Sequence, residues 1–428
     1  MEKLFSFLCA LVLAITGHAQ LRPQEITIKN YINAHINDAI KLLQQSVDIN
    51  SGTLNITGVK AVGELYAVEL KKLGFTIEWV DMPDSMHRAG HLVAMHKGKK
   101  GKRIFLMGHL DTVFEPDMPA GPFTMTSDST ATGQGIYDMK GGDVLLITAL
   151  QALNSAGLLN DMNLVVYLTG DEERTGAPHN LARKDLIERA KGCDLALSFE
   201  PAMDMHQVAT ARRGITTWKL SVTAKTGHSS IVFSDQLGYG AIFEAARILN
   251  AFREQLREQY LTFNPGLIAG GSNVQPIAEG ASITVSGKTN IVSPNTIVSG
   301  DLRYLTTTQK NNAIARMHAI VAHPLNGASS IITFEESAPA MEPTAGNLRL
   351  LDVLNRVTMN MGLGASTAGD PGSRGAGDIQ DIAQYVDCLD GLGAPGDGAH
   401  RAGETVNLKL FPLLVQRAAI LIYRLAGN

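Results

Sequence analysis

Three segments of the sequence place histidine or carboxylate side chains directly after apolar runs that are typical of buried strands. His109 and Asp111 follow RIFLMG, and Glu200 follows DLALSF. The run NLVVYLTG is followed by three consecutive carboxylates: Asp171, Glu172 and Glu173. Because ligands of open α/β sheets bind at the carboxyl ends of the strands, we expect these side chains to meet at one edge. Such a cluster would repel itself unless a cation lay there, and its imidazole and carboxylate ligands suit zinc or, less selectively, manganese or cobalt.

Each of these features has a simpler interpretation when it is taken alone. A single histidine after a strand is more often a hydrogen-bonded structural residue, and an acidic pair in a loop is usually solvated. For Asp171 a turn or cap role is the default. The combination favours a metal site, because all the groups fall on the same side of one predicted sheet.

The segment TGQGIYDMKGGD adds Asp138 to these candidates. It is not a dinucleotide-binding fingerprint, since Asp138 occupies the position that requires the third glycine. No phosphate-binding loop, HExxH or GxSxG motif occurs elsewhere. The glycines are better explained as allowing a tight backbone around Asp138, with a helix starting just after it.

The order of strand and helix patterns predicts the framework that holds these residues. In the first part, apolar runs alternate with helical periodicity, which indicates an α/β fold with a mostly parallel sheet flanked by helices. After Pro201 the period-two patterns TTWKLSVTAKTG and TNIVSPNTIVSGDLRYL predict antiparallel strands, and two helical segments accompany them. We therefore predict an inserted α+β domain over 209–337, with 20–208 and 338–428 forming the catalytic domain.

Composition limits the class of protein and its partners. The chain has 428 residues, of which 45% are hydrophobic and 18% charged, as in ordinary globular proteins. Its formal net charge is −4, which gives no electrostatic reason to expect a nucleic acid partner. Cys193 and Cys388 could pair in an oxidising compartment, but we favour free thiols, and no cysteine cluster indicates a structural zinc site.

The N-terminus predicts export. Residues 1–19 combine one lysine, a short apolar stretch and the small-x-small pattern Gly17-His18-Ala19, which is typical of a cleaved signal peptide. A membrane anchor is the alternative, but the apolar stretch is too short to span comfortably. Cys9 lies inside that stretch rather than at the cleavage point, so a lipoprotein is not expected. We predict a soluble protein, periplasmic or secreted, with no membrane association after cleavage.

Five motifs together resemble one family. MGHLDTVF, GQGIYDMKGG, GDEERTG, SFEP and GAPGDGAHRAGETV occur in the order found in the zinc peptidase family of glutamate carboxypeptidase, aminoacylase and succinyl-diaminopimelate desuccinylase. The chain looks most similar to the glutamate carboxypeptidase branch, and the resemblance covers nearly all of the mature chain. It implies a di-zinc exopeptidase type of fold with an inserted lid and dimerisation domain, two Zn²⁺ per subunit and a homodimer.

The resemblance also implies a role for each matching residue. Asp138 would bridge both metals, and a cis peptide bond often follows this aspartate in the family. The remaining metal ligands would be His109, Glu173, Glu200 and His400. Glu172 would be the general base, and Asp111 would orient the imidazole of His109. Two metals about 3.5–4 Å apart can share a carboxylate and a water, whose proton Glu172 would take and pass to the leaving amine.

The inserted domain contributes three further candidates. His228 resembles a donor to the oxyanion, often supplied by the partner subunit. Asn290 and Arg303 resemble groups that hold the substrate carboxylate, for which a planar guanidinium is suited. An ordinary strand salt bridge is the alternative for Arg303.

The segment GDPGSRGAGDIQD departs from the family pattern, which has serine or threonine where this chain has Gly377, and it adds Arg374. Arg374 could favour an acidic side chain, such as a C-terminal glutamate, or could equally be a surface residue.

We predict an exported zinc carboxypeptidase that hydrolyses an amide bond next to a free C-terminal carboxylate, acting on a small peptide or N-acyl amino acid. The alternatives are an N-acyl-amino-acid deacylase or dipeptidase and, less favoured because every ligand position is filled, an inactive binding protein.

Overall fold

The computed structural model describes residues 20–277 and 282–427. The predicted signal peptide, residues 1–19, lies outside the described residues. Within these ranges, no helix combines the length and the apolar character that crossing a bilayer requires. Cys193 and Cys388 are both free thiols.

Helices occupy most of the stretches where the sequence shows a helical period. In chain order the α-helices are α1 (Pro23–Val47), α2 (Ile56–Lys72), α3 (Gly141–Ser155), α4 (His179–Ala182), α5 (Lys184–Ala190), α6 (Ala241–Gln255), α7 (Thr307–Val321), α8 (Ala345–Asn360), α9 (Ile379–Ile382) and α10 (Phe411–Leu425).

The strands fall into a central sheet, an inserted sheet and several short pairs. In chain order they are β1 (Thr76–Val80), β2 (His91–His96), β3 (Arg103–His109), β4 (Thr124–Ser127), β5 (Thr130–Thr132), β6 (Asn163–Thr169), β7 (Leu195–Ser198), β8 (Gln207–Val208), β9 (Gly214–Ala224), β10 (Thr262–Gly271), β11 (Asn273–Ile277), β12 (Ser282–Ser286), β13 (Asn295–Tyr304), β14 (Ala328–Ala338), β15 (Thr367–Ala368), β16 (Asp387–Leu389), β17 (Gly396–Asp397) and β18 (Thr405–Asn407).

The central sheet has the order β1-β2-β6-β3-β7-β16. Strands β6, β3, β7 and β16 are parallel, whereas β1 and β2 form an antiparallel edge. Alternate residues face opposite layers: Leu106 and Val166 pack into the core with α1, α3 and α10, while Phe105 and Tyr167 pack with α5 and α9. The predicted α/β class is confirmed, and the antiparallel edge makes the sheet mixed.

The inserted sheet has the order β10-β13-β9-β14 and is antiparallel throughout. Helices α6 and α7 pack on it around a separate apolar core that includes Trp218 and Phe252. It begins at Gly214 and ends at Ala338, close to the predicted insert of 209–337. The sequence analysis predicted two strand regions here and missed β10, β14 and the β11–β12 hairpin. The edge strand β10 is largely exposed and contains Pro265 and glycines, so its sequence lacks a clear alternation of apolar and polar residues.

A small sheet of order β17-β18-β5-β4, which the sequence analysis did not anticipate, lies beside the central one. The chain segment 398–404 connects β17 to β18 and carries His400. Strand β5 precedes the short segment Ile136–Lys140, in which Asp138 and Met139 have non-helical backbone angles. Pairing of β18 with β5 therefore brings two segments that are distant in sequence to the same edge of the central sheet.

Candidate metal centre

Three parallel strands deliver the first candidate ligands to one edge. His109 is the last residue of β3, Glu172 and Glu173 follow the end of β6, and Glu200 lies just beyond β7. These strands are neighbours in the order β6-β3-β7, so their carboxyl ends meet.

Asp138 lies between two groups of ligand atoms and contributes one oxygen to each. Its Oδ1 lies 3.2 Å from His109 Nε2, which is in turn 3.8 Å from Glu200 Oε1. Its Oδ2 lies 3.3 Å from His400 Nε2, which is 3.2 Å from Glu173 Oε2. The ligand atoms of each group lie within 4.8 Å of one another. The structure thus brings together all five predicted metal ligands, with Asp138 shared.

Burial and the crowding of like charges make the carboxylates of the site costly to ionise without a counter-charge. Burial, followed by repulsion from Asp138, raises the pKa of Glu200 to about 7. Hydrogen bonds to Asp138 and Glu173 raise the pKa of His400 to about 10. The Oε1 atom of Glu173 is buried without a hydrogen-bond partner. A histidine and two carboxylates in each half, one of them shared, fit a pair of divalent ions such as zinc.

Asp111 holds the site through both its backbone and its side chain. The carbonyl oxygen of Asp111 is the nearer acceptor for His109 Nδ1, at 2.9 Å, whereas its Oδ1 is 3.5 Å away. The carboxylate accepts the Thr53 hydroxyl at 2.6 Å and the backbone N–H groups of Glu172 and Glu173 at 3.0 and 3.2 Å. Asp111 therefore fixes the imidazole mainly through its carbonyl and the glutamate segment through its carboxylate.

Glu172 lies beside the ligands and lines the adjoining cavity. One of its carboxylate oxygens is within 4.8 Å of ligand atoms of His109 and Glu173. Desolvation raises the pKa of Glu172 well above its usual range, and the charge of Glu200 adds to this rise. A carboxylate with a raised proton affinity at the edge of a metal cluster is suited to act as a general base.

A cavity of about 280 Å³ opens between the metal cluster and a cationic wall. Arg374 lines it and donates to the carbonyl of Pro201 at 2.9 Å. Arg212 lines the same wall and donates to the carbonyls of Gly375 and Ala376, at 3.1 and 2.7 Å. The structure therefore places Arg374 at the cavity and adds Arg212, which the sequence analysis missed although the dipeptide RR interrupts an otherwise weakly polar segment.

The candidates from the inserted domain do not line this cavity. His228 is exposed and hydrogen bonds to Ser230 Oγ at 2.8 Å, beside the turn that carries Asn290. Arg303 pairs with Asp301 on the same strand at 2.8 Å, the alternative interaction weighed for it.

Two further carboxylates near the centre are buried, which the sequence did not reveal. Asp171 is fully buried, accepts the Gly176 N–H at 2.8 Å and pairs with Arg183 at 2.6 Å, which fits its default turn role. Glu404, four residues after His400, is also buried, and burial raises its pKa to about 8. The peptide bond between Asp138 and Met139 is cis, as the resemblance implied.

Together, the fold, the shared carboxylate and the adjacent base define a metal-dependent hydrolase of the peptidase or amidohydrolase type. The profile of Peptidase family M20/M25/M40 matches residues 105–424, and the chain belongs to this family. The family resemblance drawn from the five motifs is confirmed.

Curated relatives and solved structures agree with this assignment. The chain is 28% identical to carboxypeptidase G2 from Pseudomonas sp. (strain RS-16) over 396 residues, covering 91% of this chain and 89% of that protein. It is 31% identical to acetylornithine deacetylase from Photorhabdus laumondii over 228 residues, covering 50% of this chain and 56% of that protein.

Aminopeptidase PepT from Bacillus cereus superposes with a TM-score of 0.73 at 15% identity, covering 92% of this chain and 99% of that one. A dinuclear metal binding peptidase from Bacillus subtilis gives a TM-score of 0.62 at 12% identity, over 92% and 99% of the two chains. At these identities the superpositions show the shared fold.

Proposed function

We propose that this protein is a zinc-dependent carboxypeptidase that hydrolyses an amide bond next to a free C-terminal carboxylate and holds two Zn²⁺ per subunit. The observation that carries the proposal is the shared Asp138, with His109 and Glu200 on one side and Glu173 and His400 on the other. Similarity to carboxypeptidase G2 over 91% of the chain supports this reaction class.

The residues around the cavity have different roles in the proposed hydrolysis. Bound divalent ions would supply Lewis acidity to the scissile carbonyl and lower the pKa of water at the site. Glu172 takes the proton from the attacking water and delivers it to the leaving amine. The Asp111 carboxylate keeps Glu172 in place by accepting the backbone N–H of Glu172 at Oδ1, over 3.0 Å.

The cationic wall favours an acidic side chain on the substrate. Arg212 and Arg374 face the metal cluster across the cavity, and the nearby buried Asp390, which pairs with Arg212 at 2.6 Å, balances only one of these two charges. One positive charge remains, so a C-terminal glutamate or a similar acidic residue is our leading substrate. His228 would stabilise the oxyanion, and Asn290 and Arg303 would hold the terminal carboxylate when the inserted domain approaches.

We also infer that the protein forms a homodimer through its inserted domain. An exposed aromatic cluster in this domain contains Phe233, Tyr239 and Phe243, and the ring centroid of Phe233 lies 5.5 Å from each of the other two. Exposed apolar patches of this kind mark interaction sites. The cluster lies close in sequence to His228, so a partner seated there would suit a contribution of His228 to the other subunit's site.

Deacylation of an N-acyl amino acid is the second candidate reaction. It is supported by the similarity to acetylornithine deacetylase, which spans half of this chain. A dipeptidase is a third possibility within the same chemistry, since a human carnosine dipeptidase shares the fold with a TM-score of 0.57. An inactive binding protein is disfavoured because every ligand position and the base are occupied by suitable side chains.

Export to the periplasm or the medium remains our proposal for localisation, and it rests on residues 1–19. Expression of the full chain in a bacterial host followed by N-terminal sequencing of the mature protein tests it. We expect a mature N-terminus near Gln20. A mature protein that retains residues 1–19 in the cytoplasm would contradict export.

A hydrolysis panel tests the reaction and its specificity. It contains dipeptides and N-acyl amino acids with C-terminal glutamate or its isostere glutamine, each with and without a chelator. We expect turnover of the glutamate substrates that chelation abolishes and that Glu172→Ala removes, whereas Glu188→Ala, an exposed control, retains it. Activity that survives chelation would overturn the metal mechanism, and equal turnover of glutamine substrates would overturn the acidic preference.

A further inference from the structure

Arg183 is a fully buried arginine between helices α4 and α5, and it faces two functional segments at once. Its Nη1 donates to Asp171 Oδ1 at 2.6 Å, and its Nη2 donates to the Asp171 carbonyl and to Thr175 Oγ1, both at 3.1 Å. Its Nε donates to Asp378 Oδ1 at 2.8 Å. One guanidinium therefore contacts residues that are about 200 positions apart in the chain.

The first of these segments, 171–176, carries the base and one metal ligand. Asp171 immediately precedes Glu172 and Glu173, and its Oδ2 also accepts the Gly176 N–H at 2.8 Å. Asp111 holds the same two glutamates through their backbone N–H groups. Arg183 and Asp111 thus hold the same segment through different groups, Arg183 through Asp171 and Thr175 and Asp111 through the backbone of the glutamates.

The second segment, 373–378, forms the cationic wall of the cavity. It includes Arg374 and ends at Asp378, whose Oδ2 accepts the Thr169 hydroxyl at 2.6 Å. Thr169 is the last residue of β6, directly before the glutamate segment. Asp378 is therefore tied to the same strand end both directly and through Arg183.

Three carboxylates lie within 4.0 Å of the Arg183 guanidinium: Asp171, Asp378 and Asp381. Burial alone would lower the pKa of Arg183, but Asp378, Asp171 and Asp381 together raise it beyond its ordinary range. The guanidinium stays charged, and removing it would leave buried carboxylates without a counter-charge.

We propose that Arg183 is a positioning residue that sets the distance between the general base and the substrate-binding wall. This inference rests on the proposed function, because it assigns Arg183 to the orientation of Glu172 relative to Arg374. The planar guanidinium of Arg183 carries several N–H donors, so it can contact both segments at fixed angles. A lysine at the same place keeps the charge but carries its three N–H donors on a single nitrogen, so it cannot reach both segments as the guanidinium does.

The charge-conserving variant Arg183→Lys tests the inference, with Arg417→Lys as its matched control. Arg417 is equally buried, in α10, and its hydrogen bond is to the Met205 carbonyl, away from the cavity. Hydrogen–deuterium exchange is measured on peptides covering 168–178 and 370–383. We expect exchange in both segments to become about tenfold faster in Arg183→Lys and to stay unchanged in Arg417→Lys.

Kinetics supply the functional half of the test. Misplacement of a catalytic group by about 1 Å can cost about 100-fold in rate, so kcat of Arg183→Lys should fall by about 10- to 100-fold. KM for the glutamate substrates should rise as well, because Arg374 in the cationic wall would be displaced. A purely structural role predicts a lower melting temperature with kcat and KM of the folded protein unchanged, as expected for Arg417→Lys.

The outcomes separate this inference from the proposed function. Faster exchange in only one segment, or in neither, overturns the positioning role, as do unchanged kcat and KM in folded Arg183→Lys. A wild-type protein that hydrolyses no substrate of the panel overturns the proposed function. In that case the exchange measurement still decides whether Arg183 couples the two segments.

Discussion

Neighbouring carboxylates in the segment GDEERTG have different environments and different tasks. Glu173 Oε2 lies 3.2 Å from His400 Nε2 within a ligand group, whereas Glu172 lines the cavity. Asp171 points away into the buried contact with Arg183. On the proposed mechanism, these three adjacent residues would supply a metal ligand, a base and a structural anchor, and bound metal ions and Arg183 would offset the repulsion between them.

The sequence predicted which residues would bind metal, but not the side chains and backbone groups that hold those residues in place. His109, Asp138 and Glu200 could be found because they follow apolar runs or interrupt a glycine-rich segment. Arg183 and Arg212 were missed, since some of their partners lie up to about 200 residues away and the RR dipeptide at Arg212 does not by itself indicate such contacts. The carbonyl of Asp111 as the acceptor for His109 was likewise outside any sequence pattern.

Replacing Glu172 by glutamine should abolish proton transfer without disturbing the fold. Glu172→Gln conserves volume but removes the basic oxygen, so kcat should fall by about 10²- to 10⁴-fold. Metal content, measured by atomic absorption, should stay at the wild-type level, because the ligands are intact. Turnover within about twofold of wild type would show that another group is the base.

The elements position the site by two different means. Parallel strands β3, β6 and β7 bring their carboxyl ends together, which alternating strand and helix patterns predicted. The segment that carries His400 is instead held by β17 and β18, strands of two and three residues. Strands this short have no measurable periodicity, so the sequence alone could not place this segment.

The contact between helices α4 and α9 should depend on pH. The hydrogen bond from His179 to Asp381, at 2.8 Å, raises the pKa of His179. Its stabilising effect is fully present below the unfolded pKa of about 6.5 and is lost as pH rises through the higher folded pKa.

We therefore expect His179→Gln to lower the melting temperature more at pH 5.5 than at pH 9. His323→Gln, at an exposed position, is the control and should have little effect at either pH. Thermal unfolding followed by circular dichroism measures both variants. A loss for His179→Gln that is equal at the two pH values, or larger at pH 9, would contradict this account.

At the scale of the whole molecule, the catalytic centre and the inserted sheet belong to separate apolar cores. The metal ligands all come from the part that contains the central sheet, whereas His228, Asn290 and Arg303 belong to the inserted part and lie outside the cavity. The family resemblance supplied these three assignments. If these three residues act on a substrate as proposed, the inserted domain of the same or of a second chain would have to approach the cavity.

A charge in the exposed aromatic cluster should disrupt the proposed dimer. Phe243, 52% exposed on α6, would be buried in the interface, and an unpaired carboxylate there costs several kcal/mol. Phe243→Asp should weaken dimerisation by about 100-fold or more and lower activity, measured by sedimentation velocity and the hydrolysis assay.

Leu348→Asp, at an exposed position on α8, is the matched control and should leave association and activity unchanged. A wild-type protein that is strictly monomeric and fully active would remove the partner-subunit role of His228.

The central claim is that two metal ions, held by ligands that share Asp138, are required for hydrolysis. The most direct measurement removes bound metal with a chelator and follows hydrolysis of an N-acyl glutamate as zinc is added back in known equivalents. We expect no activity in the stripped protein and a plateau at two equivalents per chain. Full activity in the stripped protein would contradict the metal mechanism, and a plateau at one equivalent would contradict the shared site.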